Sequence, residues 1–437
     1  MNLQEKAQRI DEKYRAFNFI SDQLEGGHGR LEGYVVTVKD NICVKGMRSS
    51  AGSKILENYS PPFDATVVSK ARSEGAIILG KTTMDEFGFG TFNVNTQFNI
   101  PLNPHDLERS TGGSSGGAAV VTAVADFPHL AIAESTGGSI SCPASFCGVV
   151  GITPTYGRTS RWGLIDYANS LDKVGCMGKN VREAALMLSV ISGPDEYDST
   201  VIRSGTPNYL EYTNRTLEGF KVGVPREYFG EGIDTEVSDN VWRGIKKLES
   251  KGSDIEEVSM PFTKHSLSSY YIVAMAEAST NLAKLCGLRY GLELPLEENF
   301  DDYFSKVRTE GFGEEAKRRI LLGTYTRMAG YRDAYYLKAL KVRTKVIEDF
   351  KRVFKYVDVL AAPTMPIVAP RFDDISKLEP HQHYMMDILT AAPNLAGIPM
   401  VSVPCGEING LPVGIHIMAD HLQERKMLTA AANVEEI

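Results

Sequence analysis

Two glycine- and serine-rich segments in the sequence have the residue types that acyl-transfer chemistry requires. The first spans residues 110–117 (STGGSSGG) and the second spans residues 134–139 (ESTGGS). Glycine tolerates left-handed backbone angles and lets amide N–H groups come close to a reacting atom. The turn before Ser139 could therefore offer N–H donors to an oxyanion, and Ser139 itself is the candidate nucleophile.

A serine hydroxyl needs a general base to attack a carbonyl carbon at neutral pH. None of the eight histidines is near either segment in the chain or part of a G-x-S-x-G signature, although one could still approach in the fold. Lysine is the better candidate, because burial among apolar neighbours lowers its affinity for a proton. On its own, however, Lys39 at the end of the apolar run Tyr34–Val38 is more typical of a solvated lysine.

Other kinds of site fit the sequence less well. A phosphate-binding loop requires a lysine after its last glycine, and none follows Gly117. His381 and His383 lack the further ligands that a metal ion would need, so we predict no metal site. Cys142 and Cys147 flank the second segment at a spacing that suits neither zinc nor a redox pair, which favours buried packing.

The composition also limits the class of protein. No run approaches the roughly 20 consecutive apolar residues that cross a bilayer, and the N-terminus lacks the apolar core of a secretory signal. The six cysteines are far apart, without C-x-x-C spacing, which indicates reduced thiols and a cytoplasmic location. A net charge of -8 argues against this chain holding a nucleic-acid backbone by itself.

Apolar periodicity predicts the elements that position these residues. Residues 3–24 have apolar side chains at helical spacing, which indicates an amphipathic helix. Tyr34–Val38 is short and β-branched, which predicts a strand that ends at Lys39. We expect Asp64 to cap the next helix, which a strand at 76–79 follows.

The order of helix and strand repeats in the second half of the chain. A helix is predicted from Asp234 to Gly252. Strand-like runs are found at 220–224, 254–258, 357–361, 400–403 and 413–417. This alternation indicates an α/β fold with a mixed, largely parallel sheet and helices on both faces. Long helical stretches replace the alternation at 262–356, where we expect a helical cap, and a proline-rich loop follows at 363–382.

Three motifs together resemble the amidase signature family, and the resemblance spans nearly the whole chain. They are Val38-Lys39-Asp40-Asn41, Gly112–Gly117 and Ser135–Pro143. The resemblance implies an α/β amidase signature fold with a central mixed sheet. It also implies the following organisation: one domain over 1–437, a catalytic core at 30–200 and a helical cap inserted at 262–356.

In that family a lysine at the end of an early strand, a serine after a cis peptide bond and a nucleophilic serine form a proton relay. These positions fall on Lys39, Ser114 and Ser139. The resemblance implies that neutral Lys39 removes a proton from Ser114, which takes one from Ser139 as Ser139 attacks an amide carbon. Ammonia then leaves, and water hydrolyses the acyl-enzyme.

The resemblance further assigns supporting residues around the nucleophile. Ser115 would support the hydrogen-bond network. The oxyanion amides would belong to Thr136, Gly137, Gly138 and Ser139. The family usually has Asp where Ser135 stands and Arg where Ser141 stands. Because both charges are absent together, no orphan buried charge remains, and we expect altered support of the turn with activity intact.

Further segments resemble those family members that are glutaminase subunits of three-subunit, tRNA-dependent amidotransferases. These segments are 80–90, 154–165, 317–325, 331–339 and 391–399. Carried over by position, Arg319 would pair with the α-carboxylate of glutamine, and Asp387 would bind its α-ammonium group. Charge complementarity of this kind selects a free amino acid over a neutral amide.

This second resemblance also implies partners. The chain itself would have no cofactor, and companion subunits B and C would complete a heterotrimer in which a partner uses ATP and magnesium. Ammonia from this chain would convert Glu-tRNA(Gln) or Asp-tRNA(Asn) to the amidated form, and the tRNA would be held mainly through the partner.

Two other interpretations stay open. The chain could be a free-standing amidase that acts on aryl, acyl or small aliphatic amides. It could also be a non-catalytic scaffold subunit, although the intact set of Lys39, Ser114 and Ser139 argues against a scaffold.

Overall fold

One continuous sheet forms the centre of the molecule. The computed structural model describes residues 2–297 and 299–435, and within them eleven strands join edge to edge. The strands are β1 (Phe17–Ile20), β2 (Val35–Lys39), β3 (Ile77–Thr82), β4 (His129–Ser135), β5 (Val150–Thr153), β6 (Lys173–Gly178), β7 (Lys221–Pro225), β8 (Asp254–Val258), β9 (Val359–Pro363), β10 (Met400–Ile408) and β11 (Leu411–Ala419). Their order across the sheet is β1-β3-β2-β4-β6-β5-β10-β11-β9-β7-β8.

The sheet is mixed, as the sequence predicts, but parallel pairing is confined to its two flanks. Strands β3, β2 and β4 are parallel on one side, and β9, β7 and β8 are parallel on the other. The other six neighbouring pairs are antiparallel. The expectation of a largely parallel sheet was therefore wrong. One reason is the tight hairpin between β10 and β11, where Asn409 and Gly410 both have positive φ, of 52° and 80°.

Helices pack on both faces of this sheet. They are α1 (Leu3–Tyr14), α2 (Thr66–Ser73), α3 (Gly116–Val124), α4 (Ser141–Cys147), α5 (Val181–Ile191), α6 (Thr235–Ser250), α7 (Ser266–Asn281), α8 (Phe300–Gly311), α9 (Glu314–Arg327), α10 (Lys338–Val353), α11 (Phe372–Ile375), α12 (Pro380–Met385), α13 (Ala391–Ala396) and α14 (Glu424–Val434). Alternate side chains of a strand point to opposite faces. Accordingly, Val36 and Val38 lie in an apolar cluster with α2, α5, α6 and α14, whereas Val35 lies in another with α3 and α4.

The N-terminal helix is shorter than predicted. It ends at Tyr14, because Arg15 adopts a left-handed conformation with φ 55° and donates its N–H to the carbonyl of Asp11. The chain then forms β1, which pairs with β3 in antiparallel orientation. The apolar residues of Phe17–Ile20 therefore belong to an edge strand, and the prediction of a helix over 3–24 was wrong beyond Tyr14.

The two predicted helix caps have different outcomes. The side chain of Asp234 caps α6 and accepts a hydrogen bond from the N–H of Glu236 at 2.8 Å. The prediction for Asp64 was wrong, since α2 begins after Ala65 without a side-chain cap. Asp64 instead accepts the N–H of Lys45 at 2.8 Å, which ties down the preceding loop.

Segment 262–356 is built mainly of helices, α7 to α10. The helical segment is interrupted after Arg327, and a π-helical turn at Asp333–Leu337 leads into α10. These helices share an apolar cluster with residues near 51–56, 87–89 and 167–171. The cluster places α7 and α9 over the end of the sheet where β2 and β4 terminate. None of the helices in the described residues is both long and apolar enough to cross a membrane.

Candidate active site

Lys39 is fully buried at the end of β2, between β3 and β4. Its Nζ is 2.7 Å from Ser114 Oγ, 2.9 Å from the carbonyl oxygen of Glu134 and 3.0 Å from Glu134 Oε2. Burial lowers the pKa of Lys39, while the nearby carboxylates, Glu134 first, partly oppose this shift. The strand thus delivers an amine that can exchange a proton directly with the first of the two serines.

Ser114 precedes α3, and the peptide bond between Gly113 and Ser114 is cis. The N–H of Gly113 donates to the carbonyl of Thr91 at 2.7 Å, which fixes this loop against the neighbouring segment. A Cβ on Gly113 would lie 2.1 Å from Asp85 Oδ2, so the backbone approaches Asp85 more closely than any side chain allows.

Ser139 lies in the turn that leads into α4, and it is 6% exposed while Lys39 and Ser114 are fully buried. Its carbonyl accepts the N–H of Ser115 at 3.2 Å, and the Ser115 hydroxyl donates to the carbonyl of Glu134 at 3.2 Å. These two bonds join the two glycine- and serine-rich segments. Within the described residues the Ser139 hydroxyl has no protein hydrogen-bond partner. The Ser139–Ser114 hydrogen bond that the relay requires is therefore not formed in this structure.

The turn before Ser139 has backbone donors available. In the part of the chain that the structure describes, the N–H groups of Gly137, Gly138 and Ser139 have no protein acceptor. A Cβ on Gly137 would lie 2.6 Å from Tyr270 Oη, and one on Gly138 would lie 2.7 Å from Thr390 Oγ1. Both positions therefore require glycine, and the packing holds the amides in one orientation. Such an arrangement can stabilise an oxyanion.

Ser135 and Ser141 take over part of the support that charged residues would give. The Ser135 hydroxyl donates to the carbonyl of Gly137 at 3.1 Å, and the Asn394 amide donates to the same carbonyl. Ser141 Oγ is 3.3 Å from Nε2 of the buried His416. Hydrogen bonds between neutral groups thus hold the turn where the resemblance implies an acid and a base.

Arg319 is buried on α9, and the solvated helix face that its basic neighbours suggest is not observed. Its Nε donates to Glu315 Oε1 at 2.7 Å, and its Nη1 donates to Tyr167 Oη at 2.6 Å. The guanidinium also lies 5.3 Å from the Tyr271 ring and 5.4 Å from the Tyr384 ring. Among the described residues Nη2 has no protein acceptor, so one edge of the guanidinium can still bind a carboxylate.

Asp387 lies in the short turn Met386–Leu389 and is nearly buried. Tyr271 donates its hydroxyl to Oδ2 at 2.5 Å, and Thr91 donates to Oδ1 at 3.3 Å. Burial raises the pKa of Asp387 to about 6. Tyr271 contacts both Arg319 and Asp387. The two residues predicted to bind the substrate are therefore next to the same tyrosine.

A pocket of about 210 Å³ opens next to these residues, and Thr91, Arg319 and Tyr384 are among its lining residues. Thr91 joins the pocket to Asp387 through its hydroxyl and to Gly113 through its carbonyl. The pocket is therefore adjacent to the loop that carries Ser114. Groups of three or more His, Cys, Asp or Glu that could hold a metal ion are not found among the described residues.

The sequence analysis missed the acidic side chains beneath the nucleophile turn. Glu134 is buried and contacts Lys39, and its Oε1 is 2.8 Å from Thr136 Oγ1. Thr136 Oγ1 is also 2.8 Å from Oδ1 of the buried Asp172. One signal was available: Glu134 follows directly on the apolar run Leu130–Ala133, where an acid requires a buried partner.

Comparisons with known proteins find relatives over nearly the whole chain. The family model described as Amidase matches residues 4–428. The A subunit of glutamyl-tRNA(Gln) amidotransferase from Methanosarcina mazei is 52% identical over 413 residues, which is 94% of this chain and 86% of that protein. The protein of the same name from Clostridium botulinum is 45% identical over 99% of this chain and 87% of its own length. The crystal structure of the protein of that name from Thermotoga maritima superposes with a TM-score of 0.86 at 37% identity, covering 99% of this chain and 89% of that one.

Proposed function

The chain belongs to the amidase family, and from that premise we propose that it hydrolyses glutamine to glutamate and ammonia as the A subunit of a tRNA-dependent amidotransferase. The observation that supports this most directly is the 2.7 Å contact between the buried amine of Lys39 and the hydroxyl of Ser114. Relatives named as the A subunit of glutamyl-tRNA(Gln) amidotransferase match nearly the whole chain, at 52% and 45% identity.

The proposed reaction proceeds through an acyl-enzyme. Ser139 Oγ attacks the side-chain amide carbon of glutamine while its proton passes to Ser114 Oγ, and the Ser114 proton passes to Lys39 Nζ. The N–H groups before and at Ser139 stabilise the oxyanion, each contributing roughly 3 kcal/mol. The C–N bond then breaks, the nitrogen takes the proton back through Ser114, and ammonia leaves. Water attacks the ester by the same proton path, which releases glutamate and restores Ser139.

Recognition of glutamine rests on two opposite charges. Arg319 would bind the α-carboxylate through its free Nη2, while Glu315 holds Nε and Tyr167 holds Nη1 in place. Asp387 would bind the α-ammonium group. Because both ligands are nearly buried, a neutral amide would leave Asp387 without a cation and Nη2 of Arg319 without an acceptor, which favours glutamine over simple amides.

The same proposal includes the partners and the location. We infer that companion subunits B and C complete a heterotrimer in the cytoplasm and that one of these partners holds ATP, magnesium and most of the tRNA. The ammonia would amidate Glu-tRNA(Gln) or Asp-tRNA(Asn). The net charge of -8 supports the assignment of tRNA binding mainly to a partner, because binding a phosphate backbone requires clustered cations.

Ammonia release by the purified chain, alone and with its co-purified companions, tests the proposal. We expect turnover of glutamine that Ser139→Ala abolishes and that Ser250→Ala, which removes an exposed hydroxyl at the end of α6, leaves in place. Rapid hydrolysis of neutral aryl or aliphatic amides without glutamine turnover would replace the proposal with the free-standing amidase. Unchanged ammonia release in Ser139→Ala would exclude Ser139 as the nucleophile.

A further inference from the structure

The Thr136 hydroxyl lies between two buried carboxyl groups. Its Oγ1 is 2.8 Å from Glu134 Oε1 and 2.8 Å from Asp172 Oδ1. A hydroxyl has one proton and can donate to only one of them. The other carboxyl group must therefore carry a proton of its own and donate it to Oγ1. Otherwise two anions would face one hydroxyl in a site that water does not reach.

The remaining contacts indicate which carboxyl group carries that proton. Glu134 Oε2 is 3.0 Å from Lys39 Nζ and accepts the side-chain N–H of Asn41 at 3.1 Å, so Glu134 has donors for a full negative charge. Among the described residues no cation contacts Asp172, and its Oδ2 accepts the backbone N–H groups of residues 167 and 168. Burial, and then the charge of Glu134, raise the pKa of Asp172 well above its ordinary value. The proton therefore resides on Asp172.

Glu134 also directs the lone pair of Lys39. A neutral amine has two N–H bonds and one lone pair. The carbonyl oxygen and Oε2 of Glu134 accept the two N–H bonds, at 2.9 and 3.0 Å. The lone pair is then left for the third neighbour, Ser114 Oγ at 2.7 Å. Glu134 thus orients the lone pair of Lys39 toward the Ser114 hydroxyl, whose proton Lys39 must accept.

We propose that Glu134 is a positioning residue for Lys39, held anionic and in place by Thr136 and by Asp172 in its neutral acid form. This inference rests on the proposed function. When Lys39 takes the Ser114 proton, the resulting ammonium forms in contact with the Glu134 carboxylate. The charge that develops is balanced without any reorganisation of solvent. A hydrogen-bond network thus supports the base from below, from Lys39 through Glu134 and Thr136 to Asp172.

Two further carboxyl groups lie near Lys39. Asp85 is in the loop after β3, and Asp172, in its neutral acid form, is in the loop before β6. Neither contacts Nζ, whereas Glu134 does. The Glu134→Gln variant therefore removes the charge nearest to Lys39, and its amide can still accept an N–H of Lys39 and donate to Thr136. It tests charge while keeping the hydrogen bonds.

The experiment measures how fast a small phosphonofluoridate modifies Ser139 as a function of pH, together with kcat and KM for glutamine. In Glu134→Gln the ammonium form of Lys39 loses its counter-charge, so the rise of the rate with pH should move to lower pH by about 1 unit or more. The plateau rate and kcat should fall about tenfold or more, with little change in KM. Asp172→Asn can donate to Thr136 as the neutral acid does, and its profile should match wild type.

Two outcomes would overturn the inference: a Glu134→Gln profile that superposes on wild type, or an Asp172→Asn profile that shifts as far as that of Glu134→Gln. If Glu134→Gln does not fold, Thr136→Val replaces it as the variant that removes the bridge. Its profile should shift in the same direction, and Thr136→Ser should restore the wild-type profile. Phosphonylation does not depend on glutamine, so a chain that shows these shifts without glutamine turnover would refute the proposed function and retain the inference.

Discussion

The proposed role of Lys39 as the base depends on its burial. An exposed lysine holds its proton at neutral pH, whereas the complete burial of Lys39 lowers its pKa, and Glu134 restrains that shift. The two influences have different effects. Burial favours the neutral amine, which has a lone pair, and the hydrogen bonds of Glu134 orient that lone pair toward Ser114.

Lys39→Arg separates charge from basicity. Arginine stays protonated in proteins, so the variant can pair with Glu134 but cannot accept the Ser114 proton. We expect kcat for glutamine to fall at least about 100-fold, with the folded state retained. Ammonia assays and thermal melting check this result. Lys70→Arg, at a half-buried lysine that hydrogen-bonds only backbone carbonyls, is the matched control and should keep its activity.

The position of Asp387 at the substrate predicts an acid limb in the pH profile, that is, a decrease of kcat/KM for glutamine at low pH. Its pKa of about 6 means that the carboxylate is charged at pH 7 and becomes neutral as the pH falls through 6. The attraction for the α-ammonium group should then be lost, so kcat/KM for glutamine should fall below pH 6 through a rise in KM. In Asp387→Asn the value at pH 7.5 should already be low, and this limb should be absent. A limb that persists in Asp387→Asn would assign it to another group.

The family resemblance predicted two residues that meet, but not the network around them. It implied a relay of Lys39, Ser114 and Ser139, and the structure brings Lys39 and Ser114 into contact at 2.7 Å. Asp172 is far from Glu134 in the chain, and its role depends on a hydrogen bond that only the fold creates. The resemblance also assigned Arg319 to the substrate, but the aromatic rings that surround this side chain come from other segments and could not be predicted.

At the scale of elements, the site forms where two parallel neighbours end. Strands β2 and β4 pair in register from Val35 opposite His129, so Lys39 and the turn after Ser135 emerge at the same edge of the sheet. The strand that ends at Lys39 could be predicted from its β-branched residues. Its pairing with β4 could not be predicted, because the residue pattern of one strand does not specify which strand lies next to it.

The nucleophile turn predicts a steric experiment. In Gly138→Ala the new Cβ would meet the Thr390 hydroxyl at 2.7 Å, so the turn must shift and its amides lose their orientation. We expect kcat to fall about 100-fold, the scale of one lost oxyanion donor, with KM little changed. Gly205→Ala, where the added Cβ meets nothing within 4 Å, should keep full activity. Adding Thr390→Ala to Gly138→Ala should restore part of the rate.

The cap of α6 predicts a change in stability. The Asp234 side chain accepts N–H groups from residues 236 and 237 at the start of the helix. Asp234→Ala should lower the free energy of unfolding by about 1 kcal/mol. Urea denaturation measures this loss, and Asp239→Ala inside the same helix should cost clearly less. Equal losses would mean that the cap contributes nothing beyond general surface charge.

At the scale of the whole molecule, apolar patterns predicted seven of the eleven strands in the described residues, whereas β1, β4, β5 and β6 and the direction of the strands were not predicted. Regular alternation of elements suggested a largely parallel sheet, yet a hairpin as short as Asn409-Gly410 forces β10 and β11 to be antiparallel. The Asn-Gly pair is itself a hairpin signal, so this part of the topology was present in the sequence.

The overall charge predicts weak contact with nucleic acid. With a net charge of -8, the isolated chain should show no tRNA binding at micromolar concentration and physiological salt. Filter binding of the chain alone, compared with the chain in complex with its companions, measures the difference. Tight, salt-sensitive binding by the isolated chain would assign it a larger part in holding the acceptor.

The proposed catalytic residues Lys39, Ser114 and Ser139 lie at or next to the sheet, whereas Arg319 and Tyr271 come from helices α9 and α7. Substitutions on these two helices would therefore change which amides bind while the reacting groups stay in place, provided that Tyr270, which packs against Gly137, is kept. Asp387 lies outside both helices, so a library for new amides would combine α7 and α9 with the turn Met386–Leu389.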